Sequence, residues 1–342
     1  MGGLQTLLAG LAAVAVAAGT GAAASRDGDA PEVLSRAAAA SAQLPQTTFK
    51  WPRQRPLPPV QDATGLRGDR LVAAKAISLP GADATGAAQL SVRSGGHDRP
   101  YLLAPARRVA PRGNPSLLIV LPAANTNLRT QYDQHGLDAF RDHGMTVLVA
   151  GTYAANWNAG GCCGRPQLNG IDDVAAITAM RADAVRRSGA DPRRTAVVGH
   201  SVGAFMAWRL ACTPAFGAAA VIAVSGTLVH PCPTLPRTPM FLALNGDRDS
   251  TVPLNGSRTV VPILGIAPPS VRASLARLAS AGRCAPATSF RVGASVVTDH
   301  AACSGGGRVR LQVVEGTGHP WTDLDGTRRA AAFLSQALVG VR

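Results

Sequence analysis

The stretch that decides the fold is TAVVGHSVG, residues 195–203. Its first four residues predict a buried strand, and the pattern Gly-x-Ser-x-Gly follows at once, with Ser201 at its centre. The apolar residues that follow, up to Ala211, predict a helix. The flanking glycines allow a sharp turn from strand to helix, which lifts the serine hydroxyl clear of the sheet. A serine in this position, at a helix N-terminus, is suited to act as a nucleophile.

Short apolar runs on both sides of this stretch predict further strands, with helical stretches between the later ones. The predicted strands are 90–93, 101–104, 117–121, 146–150, 195–198, 219–224, 240–244 and 310–314, and the predicted helices are 131–143, 172–188, 203–211 and 328–338. This alternation predicts an α/β fold with a mostly parallel eight-stranded sheet covered by helices on both faces. The first two strands are close enough in sequence to form an antiparallel hairpin. We assign residues 87–342 to a single catalytic domain.

A nucleophilic serine needs a base, and in hydrolases of this type the chain order is serine, acid, histidine. His319 follows the last predicted strand and is therefore our candidate base. His230 lies in a loop rich in proline and cysteine, and His300 lies between two cysteines, so we expect both to be surface or packing residues. His200 is part of the turn itself and is expected to line the pocket.

The orienting acid is expected in the loop that follows the strand 240–244. This loop offers Asp247 and Asp249. We choose Asp249 because it lies further out on the loop, just before the turn at Val252-Pro253. Asp247 is then a carboxylate that caps a turn or forms a salt bridge.

The amino-terminal residues have the character of an export signal. Residues 4–24 are small and apolar, no charged residue precedes Arg26, and Ala22-Ala23-Ala24 offers a cleavage site. The alternative is an uncleaved membrane anchor, but the many Ala and Gly residues make a poor bilayer span. We therefore predict a signal peptide (1–24), secretion, and no stable membrane insertion. Residues 25–86 are rich in Ala and Pro and are assigned to a linker or pro-segment.

All six cysteines lie at or after Cys162, and none forms a C-x-x-C pair. An even number in an exported chain predicts three disulfides, with 15 possible connectivities. Cys284 and Cys303 bracket a loop-rich stretch and are expected to pair. Cys162 and Cys163 are adjacent, so each is expected to reach a distant partner such as Cys212 or Cys232 rather than the other. The cysteine and histidine spacing predicts no metal site.

The charge is strongly positive, with 34 Lys+Arg against 20 Asp+Glu, but it is dispersed. Only Lys50 and Lys75 are lysines, and no basic run exceeds two residues. A nucleic-acid groove needs a clustered basic stripe, so we expect no nucleic-acid partner.

Several other stretches give the chain a resemblance to a known family. It resembles the secreted α/β-hydrolase esterases that include polyhydroxybutyrate depolymerases and feruloyl or acetylxylan esterases. The resemblance runs from about residue 94 to 338 and implies the α/β-hydrolase fold and the triad Ser201, Asp249 and His319. The stretches that carry it are DRPY at 98–101, WNAGGCCG at 157–164, DDV at 172–174, DPRR at 191–194, RLAC at 209–212, SGTL at 225–228, GDRD at 246–249 and GHPW at 318–321.

The chain departs from this family at the loop after the strand 117–121. The family usually has His-Gly there, followed by a backbone N–H that completes the oxyanion hole, whereas this chain has Pro122-Ala123. Ala123 or Ala124 can still supply an N–H, since no side chain is needed. We take Val202 and Ala124 as the predicted oxyanion donors.

The sequence therefore predicts a secreted, monomeric serine esterase that acts on polymeric or small esters without metal or organic cofactor. The pocket walls are expected to be Trp157, His200 and Trp321. One alternative is a peptidase or lipase on the same scaffold, although no long apolar lid segment interrupts the domain. Another is a non-catalytic binding protein of the same fold, against which the complete triad argues.

Overall fold

A ten-stranded sheet forms the centre of the part of the chain that the computed structural model describes, residues 71–338. The predicted signal peptide and residues 25–70 of the predicted linker lie outside this range. The strands are β1 Val72–Ala73, β2 Ala88–Ser94, β3 His97–Ala104, β4 Arg108–Val109, β5 Ser116–Leu121, β6 Met145–Ala150, β7 Thr195–His200, β8 Ala220–Val224, β9 Met240–Gly246, β10 Thr288–Arg291, β11 Ser295–His300 and β12 Arg308–Val314. The helices are α1 Leu128–Gln134, α2 Asp138–Asp142, α3 Gly164–Leu168, α4 Asp173–Ser188, α5 Val202–Ala211, α6 Val271–Ala281 and α7 Gly326–Ala337.

The large sheet has the strand order β10-β11-β12-β9-β8-β7-β5-β6-β3-β2. The run from β12 to β6 is parallel throughout. An antiparallel hairpin extends it at each side, β2–β3 next to β6 and β10–β11 next to β12. Because the central strands are parallel, their carboxyl ends all lie at one edge, where the loops that follow them can form a site.

The prediction of a mostly parallel sheet is confirmed, and so is the antiparallel hairpin at its start. The predicted number of eight strands is wrong, because β10 and β11 were not recognised. All four residues of β10 are exposed, so the strand lacks the apolar pattern of a core strand. Edge strands of this kind carry little of the hydrophobic signal from which strands are predicted.

Helices cover both faces of the sheet and produce two buried apolar layers. One layer includes Phe205 and Trp208 of α5 and Leu275 of α6. The other includes Phe140 of α2 and Phe333 of α7. Such a doubly covered parallel sheet explains why β5, β6 and β8 are buried along their whole length.

Local sequence sets the ends of the longest helix, α4. The Asp172 side chain accepts a hydrogen bond from the Ala175 N–H at 2.9 Å, which satisfies one free donor of the first turn. Gly189 ends the helix with φ at 66°, a conformation that glycine adopts without steric penalty.

The packed part of the chain begins before residue 87. Within the described residues, Leu71 and Leu79 are buried, and β1 pairs with β4. Residues 71–86, which the sequence assigns to the linker, thus contribute to the folded unit. In the part of the chain that the structure describes, no helix combines the length and apolar character that crossing a membrane requires.

The six cysteines form three pairs at disulfide distance. Cys284 pairs with Cys303 as predicted. The expectation that Cys162 and Cys163 reach distant partners is wrong, because they pair with each other. Cys212 is then left to pair with Cys232. The sequence favoured distant partners because adjacent cysteines are rarely bridged. Here both cysteines are buried in a loop whose backbone is held by hydrogen bonds, among them the one from Cys163 N–H to Trp157 O at 2.9 Å.

Candidate active site

Ser201 lies at the turn between β7 and α5 with a backbone conformation of φ 54° and ψ −123°. Few non-glycine residues adopt such angles, and they persist only where the surroundings hold them. The two flanking glycines are needed for close packing. A Cβ on Gly199 would lie 2.8 Å from the backbone nitrogen of Ala204, and a Cβ on Gly203 would lie 2.6 Å from Pro122 O. The Ser201 side chain is partly exposed at the edge where the parallel strands end.

His319 and Asp249 are brought together by the loops that follow β12 and β9. The His319 Nδ1 atom lies 2.8 Å from Asp249 Oδ2. Asp249 is buried, and its other oxygen accepts the N–H groups of Thr251 and Val252 at 2.9 and 2.8 Å. The carboxylate is therefore fixed by its own loop and presents one oxygen to the imidazole.

The loop that carries Asp249, here called the acid loop, packs directly on the loop that carries His319, here called the histidine loop. The Arg248 N–H donates to Thr317 O at 2.9 Å. A Cβ on Gly246 would collide with the Thr317 carbonyl and lie 2.6 Å from Gly318 O, so this close approach requires glycine. The carboxylate of Asp247 accepts the Gly316 N–H at 2.7 Å. Asp247 thus caps the turn of the histidine loop, which is one of the two roles that the sequence predicts for it.

The backbone of His319 lies against the turn that carries Ser201. Its carbonyl accepts hydrogen bonds from His200 Nε2 at 3.1 Å and from the Ser225 hydroxyl at 3.0 Å. The ring centroids of His200 and His319 are 5.4 Å apart. Within residues 71–338, no hydrogen bond joins the Ser201 hydroxyl to the His319 ring. Without substrate such contacts are often long, and they shorten when substrate binds.

Two backbone segments close to Ser201 carry N–H groups that can serve as oxyanion donors. Val202 is the first residue of α5, where N–H groups have no partner within the helix. The loop after β5 packs against the same helix start, since Gly203 contacts Pro122 O. The Asn125 N–H in this loop already donates to Ala155 O at 3.1 Å, which leaves Ala123 and Ala124 as the candidates for the second donor.

Two of the three predicted pocket walls are wrong. Trp157 is fully buried, and its indole N–H donates to Pro122 O at 3.0 Å, so it supports the loop after β5 from within the core. Trp321 is 4% exposed and donates to Thr327 Oγ1 at 3.0 Å. Both side chains are covered by tertiary packing that local sequence does not encode. His200 remains partly exposed beside Ser201.

One residue of this region was not singled out from the sequence. His135, which follows α1, is buried and stacks on Trp321 with ring centroids 4.2 Å apart. Burial lowers its pKa well below the usual value for histidine. Burial also lowers the pKa of His200 to about 4, with a smaller contribution from His319. Both rings are therefore neutral at neutral pH, and no local pattern around His135 distinguishes it from a surface histidine.

The remaining histidine predictions agree with the structure. His300 is half-buried and bonded through Nδ1 to Ala285 O at 3.1 Å. His230 packs so closely on Gly160 that a Cβ there would collide with its ring.

Between residues 71 and 338 there is no group of three or more His, Cys, Asp or Glu side chains that could hold a metal ion.

Comparison with known proteins identifies the fold. No protein-family model and no curated protein matches the chain. Among solved structures, an acetyl xylan esterase from Aspergillus awamori matches with a TM-score of 0.52 and 15% identity, over 73% of this chain and 99% of that one. The feruloyl esterase module from Clostridium thermocellum, in a complex with sinapinate, matches with a TM-score of 0.46 and 11% identity, over 78% of this chain and 95% of that one.

A prolyl endopeptidase structure matches with a TM-score of 0.49 and 14% identity, over 74% of this chain and 38% of that one. At these identities a likeness establishes the fold alone, and the acetyl xylan esterase carries that conclusion. The chain has the α/β-hydrolase fold, as predicted.

Proposed function

We propose that the protein is a secreted serine hydrolase of carboxylic esters, with Ser201 as nucleophile, His319 as base and Asp249 as the residue that orients the imidazole. The observation that carries this proposal is the 2.8 Å contact between His319 Nδ1 and Asp249 Oδ2 beside a serine held at φ 54°. The α/β-hydrolase fold and the position of all three residues at the carboxyl ends of parallel strands support it.

In the first half-reaction the Ser201 oxygen attacks the ester carbonyl while His319 Nε2 takes the hydroxyl proton. Asp249 keeps Nδ1 protonated, so that Nε2 is the free acceptor, and stabilises the imidazolium that forms. The N–H of Val202 and that of Ala124 stabilise the negative oxygen of the tetrahedral intermediate. His319 then gives its proton to the leaving alcohol, and an acyl-enzyme ester on Ser201 remains.

In the second half-reaction a water molecule replaces the alcohol. His319 removes its proton as the water oxygen attacks the acyl-enzyme, and the same N–H groups receive the oxyanion. Collapse of this intermediate releases the carboxylic acid and returns the proton to the Ser201 oxygen. Ester and water are the two reactants of this cycle, and in the proposed mechanism Ser201, His319, Asp249 and two backbone N–H groups act on them.

The substrate class is proposed from the sequence resemblance to polyhydroxybutyrate depolymerases and feruloyl or acetylxylan esterases. Three cysteine pairs support export, because disulfides persist in oxidising compartments. The predicted signal peptide agrees with this, although it lies outside the described residues.

The test is Ser201→Ala, assayed on short-chain acyl esters, hydroxyalkanoate oligomers, feruloyl esters and matched amides. Removing the nucleophile should reduce turnover by about 10⁴- to 10⁶-fold and leave the melting temperature near that of the wild type, since Ser201 is not a core residue. A serine-directed phosphonate should label Ser201 in the wild type only.

A variant with a tenth of wild-type activity would contradict the assignment of Ser201. Amide hydrolysis at rates above those for esters would favour the peptidase alternative. A wild type that binds these esters without hydrolysing them would favour the non-catalytic alternative.

A further inference from the structure

Ser225 is a buried residue with a strained backbone at the end of β8. It has no exposed surface, and its φ is 55°, in the left-handed region that favours glycine. A non-glycine residue there costs free energy that the rest of the fold must offset. Serine thus occupies a position where glycine would have less backbone strain, and its side chain brings a hydroxyl that glycine lacks.

The Ser225 hydroxyl points at the loop that carries His319. It donates to the carbonyl oxygen of His319 at 3.0 Å. The backbone of Ser225 is itself fixed, because its N–H donates to Leu244 O of β9 at 2.9 Å. One residue earlier, Val224 O accepts the Ser201 N–H at 3.0 Å. The end of β8 thus contacts the turn of the nucleophile on one side and the histidine loop on the other.

A second donor completes this contact. His200 Nε2 lies 3.1 Å from the same carbonyl oxygen, so both lone pairs of His319 O are engaged. Since a carbonyl can only accept, Nε2 must carry the proton. Burial keeps the pKa of His200 low, and the neutral ring donates this one hydrogen bond without placing a positive charge beside His319.

We propose that Ser225 is a positioning residue that fixes the main chain of His319, so that its imidazole stays between Asp249 and Ser201. His200 shares this role through the same carbonyl. On the other side of the loop, the Arg248 N–H fixes Thr317 O. The histidine is thus held from both sides, and the strained serine is the residue that links it to the strand next to the nucleophile. The inference rests on the proposed function.

The experiment compares Ser225→Gly with Ser225→Ala. Both variants remove the hydroxyl, but glycine also relieves the backbone strain while alanine keeps it. If the hydroxyl positions His319, kcat for a soluble ester should fall by about 10- to 100-fold in both variants, since small misplacements of a reacting group slow chemistry by that order. KM should stay within about twofold in both. The melting temperature of Ser225→Gly should be no lower than that of the wild type.

Ser274→Ala is the matched control. Ser274 is also buried, and its hydroxyl bonds to Thr227 Oγ1 at 2.7 Å and accepts the Leu228 N–H at 3.2 Å, further along the same loop. Its removal should lower the melting temperature and leave kcat within about twofold of the wild type. The contrast separates loss of stability from loss of positioning.

Wild-type kcat in Ser225→Gly, or a loss in Ser225→Ala that glycine restores, would overturn the role of the hydroxyl. An equal loss of kcat in Ser274→Ala would overturn it too, because the effect would then be general to the loop. A wild-type protein that neither hydrolyses esters nor is labelled by the phosphonate would overturn the proposed function and the role of Ser225 with it. The labelling rate of Ser201 should fall in parallel with kcat in both Ser225 variants.

Discussion

At the scale of single residues, the two carboxylates of the acid loop have different partners. Asp249 uses one oxygen for two backbone N–H groups and the other for His319. Asp247 reaches across to the backbone N–H of Gly316 and does not contact the imidazole. The first can therefore determine which imidazole nitrogen carries the proton, and the second can only stabilise a turn.

This difference predicts unequal effects of Asp249→Asn and Asp247→Asn. An amide at position 249 can donate to Nδ1, which favours the wrong tautomer, so kcat should fall by roughly 10⁴-fold, as in a known catalytic triad. At position 247 the amide oxygen can still accept the Gly316 N–H, and kcat should stay within about tenfold of the wild type. Steady-state kinetics on one ester measures both. A larger loss in Asp247→Asn would mean that the wrong carboxylate has been chosen.

A second residue-scale prediction concerns stability in acid. Burial lowers the pKa of His135 and His200 in the folded protein. It also lowers the pKa of His230, which is only half-buried. Below about pH 6.5 the unfolded chain binds protons that the folded protein does not, so the free energy of unfolding should fall as the pH decreases. For His200 this loss should level off near pH 4, where the folded ring also becomes protonated.

Chemical denaturation at pH 7, 5.5 and 4.5 measures this slope, which amounts to about 1.4 kcal/mol per pH unit for each fully coupled proton. The carboxylates with lowered pKa values, among them Asp138 and Asp191, lose most of their contribution below pH 3.8 and so add little to the slope between pH 7 and 5.5. The double variant His135→Gln/His200→Gln should have a flatter profile. An unchanged slope in that variant would contradict the assignment.

The sequence allows the candidate triad to be predicted because each member is tied to a local pattern. Ser201 lies in Gly-x-Ser-x-Gly, and Asp249 and His319 each follow a strand in a fixed chain order. The roles of Trp157 and Trp321 could not be predicted in this way. Whether an indole lines a pocket or fills the core depends on which distant elements cover it.

At the scale of elements, the central strands were predictable because a parallel sheet covered on both faces requires continuous apolar runs. The region between β9 and β12 was not. In helix α6 and the hairpin β10–β11, polar and exposed residues interrupt the apolar pattern. Helix 131–143 was predicted as one element, but it is two short helices, α1 and α2, with Gly136 between them at φ 58°.

The contact between the acid loop and the histidine loop predicts that Gly246→Ala is harmful. The added methyl group would meet the backbone carbonyls of Thr317 and Gly318, which cannot rotate away as a side chain could. The loops must then separate, so stability should fall by about 1–3 kcal/mol, as for other overpacked sites, and kcat should fall with it. Urea denaturation and ester kinetics measure the two effects.

Gly318→Ala is the matched control for this prediction, since a Cβ there meets its nearest atoms only at 3.7 Å. Equal damage from the two substitutions would show that the histidine loop tolerates no added methyl group, and would contradict the specific role of Gly246.

At the scale of the whole molecule, the three cysteine pairs predict that denatured, non-reduced protein contains no titratable thiol. The bridges Cys212–Cys232 and Cys284–Cys303 span 20 and 19 residues, and each should stabilise the fold by about 3 kcal/mol through its effect on the unfolded chain. Reduction should therefore lower the melting temperature. Two or more free thiols per chain in the purified, non-reduced protein would contradict the three-bridge arrangement.

The direct pairing of β9 with β12 has a consequence for how such a protein can diverge. Met240 lies opposite Arg308 and Gly246 opposite Val314, so these two strands, which are far apart in sequence, are parallel neighbours, and the chain between them crosses from one edge of the sheet to the other. Residues 255–307 make most of this crossover; they include the edge hairpin β10–β11 and helix α6, which contributes Leu275 and Leu278 to the core. Because the entropy of closing a flexible loop changes by only about 0.6 kcal/mol for each doubling of its length, the irregular loops within this segment can be lengthened while the strands that carry Asp249 and His319 remain paired.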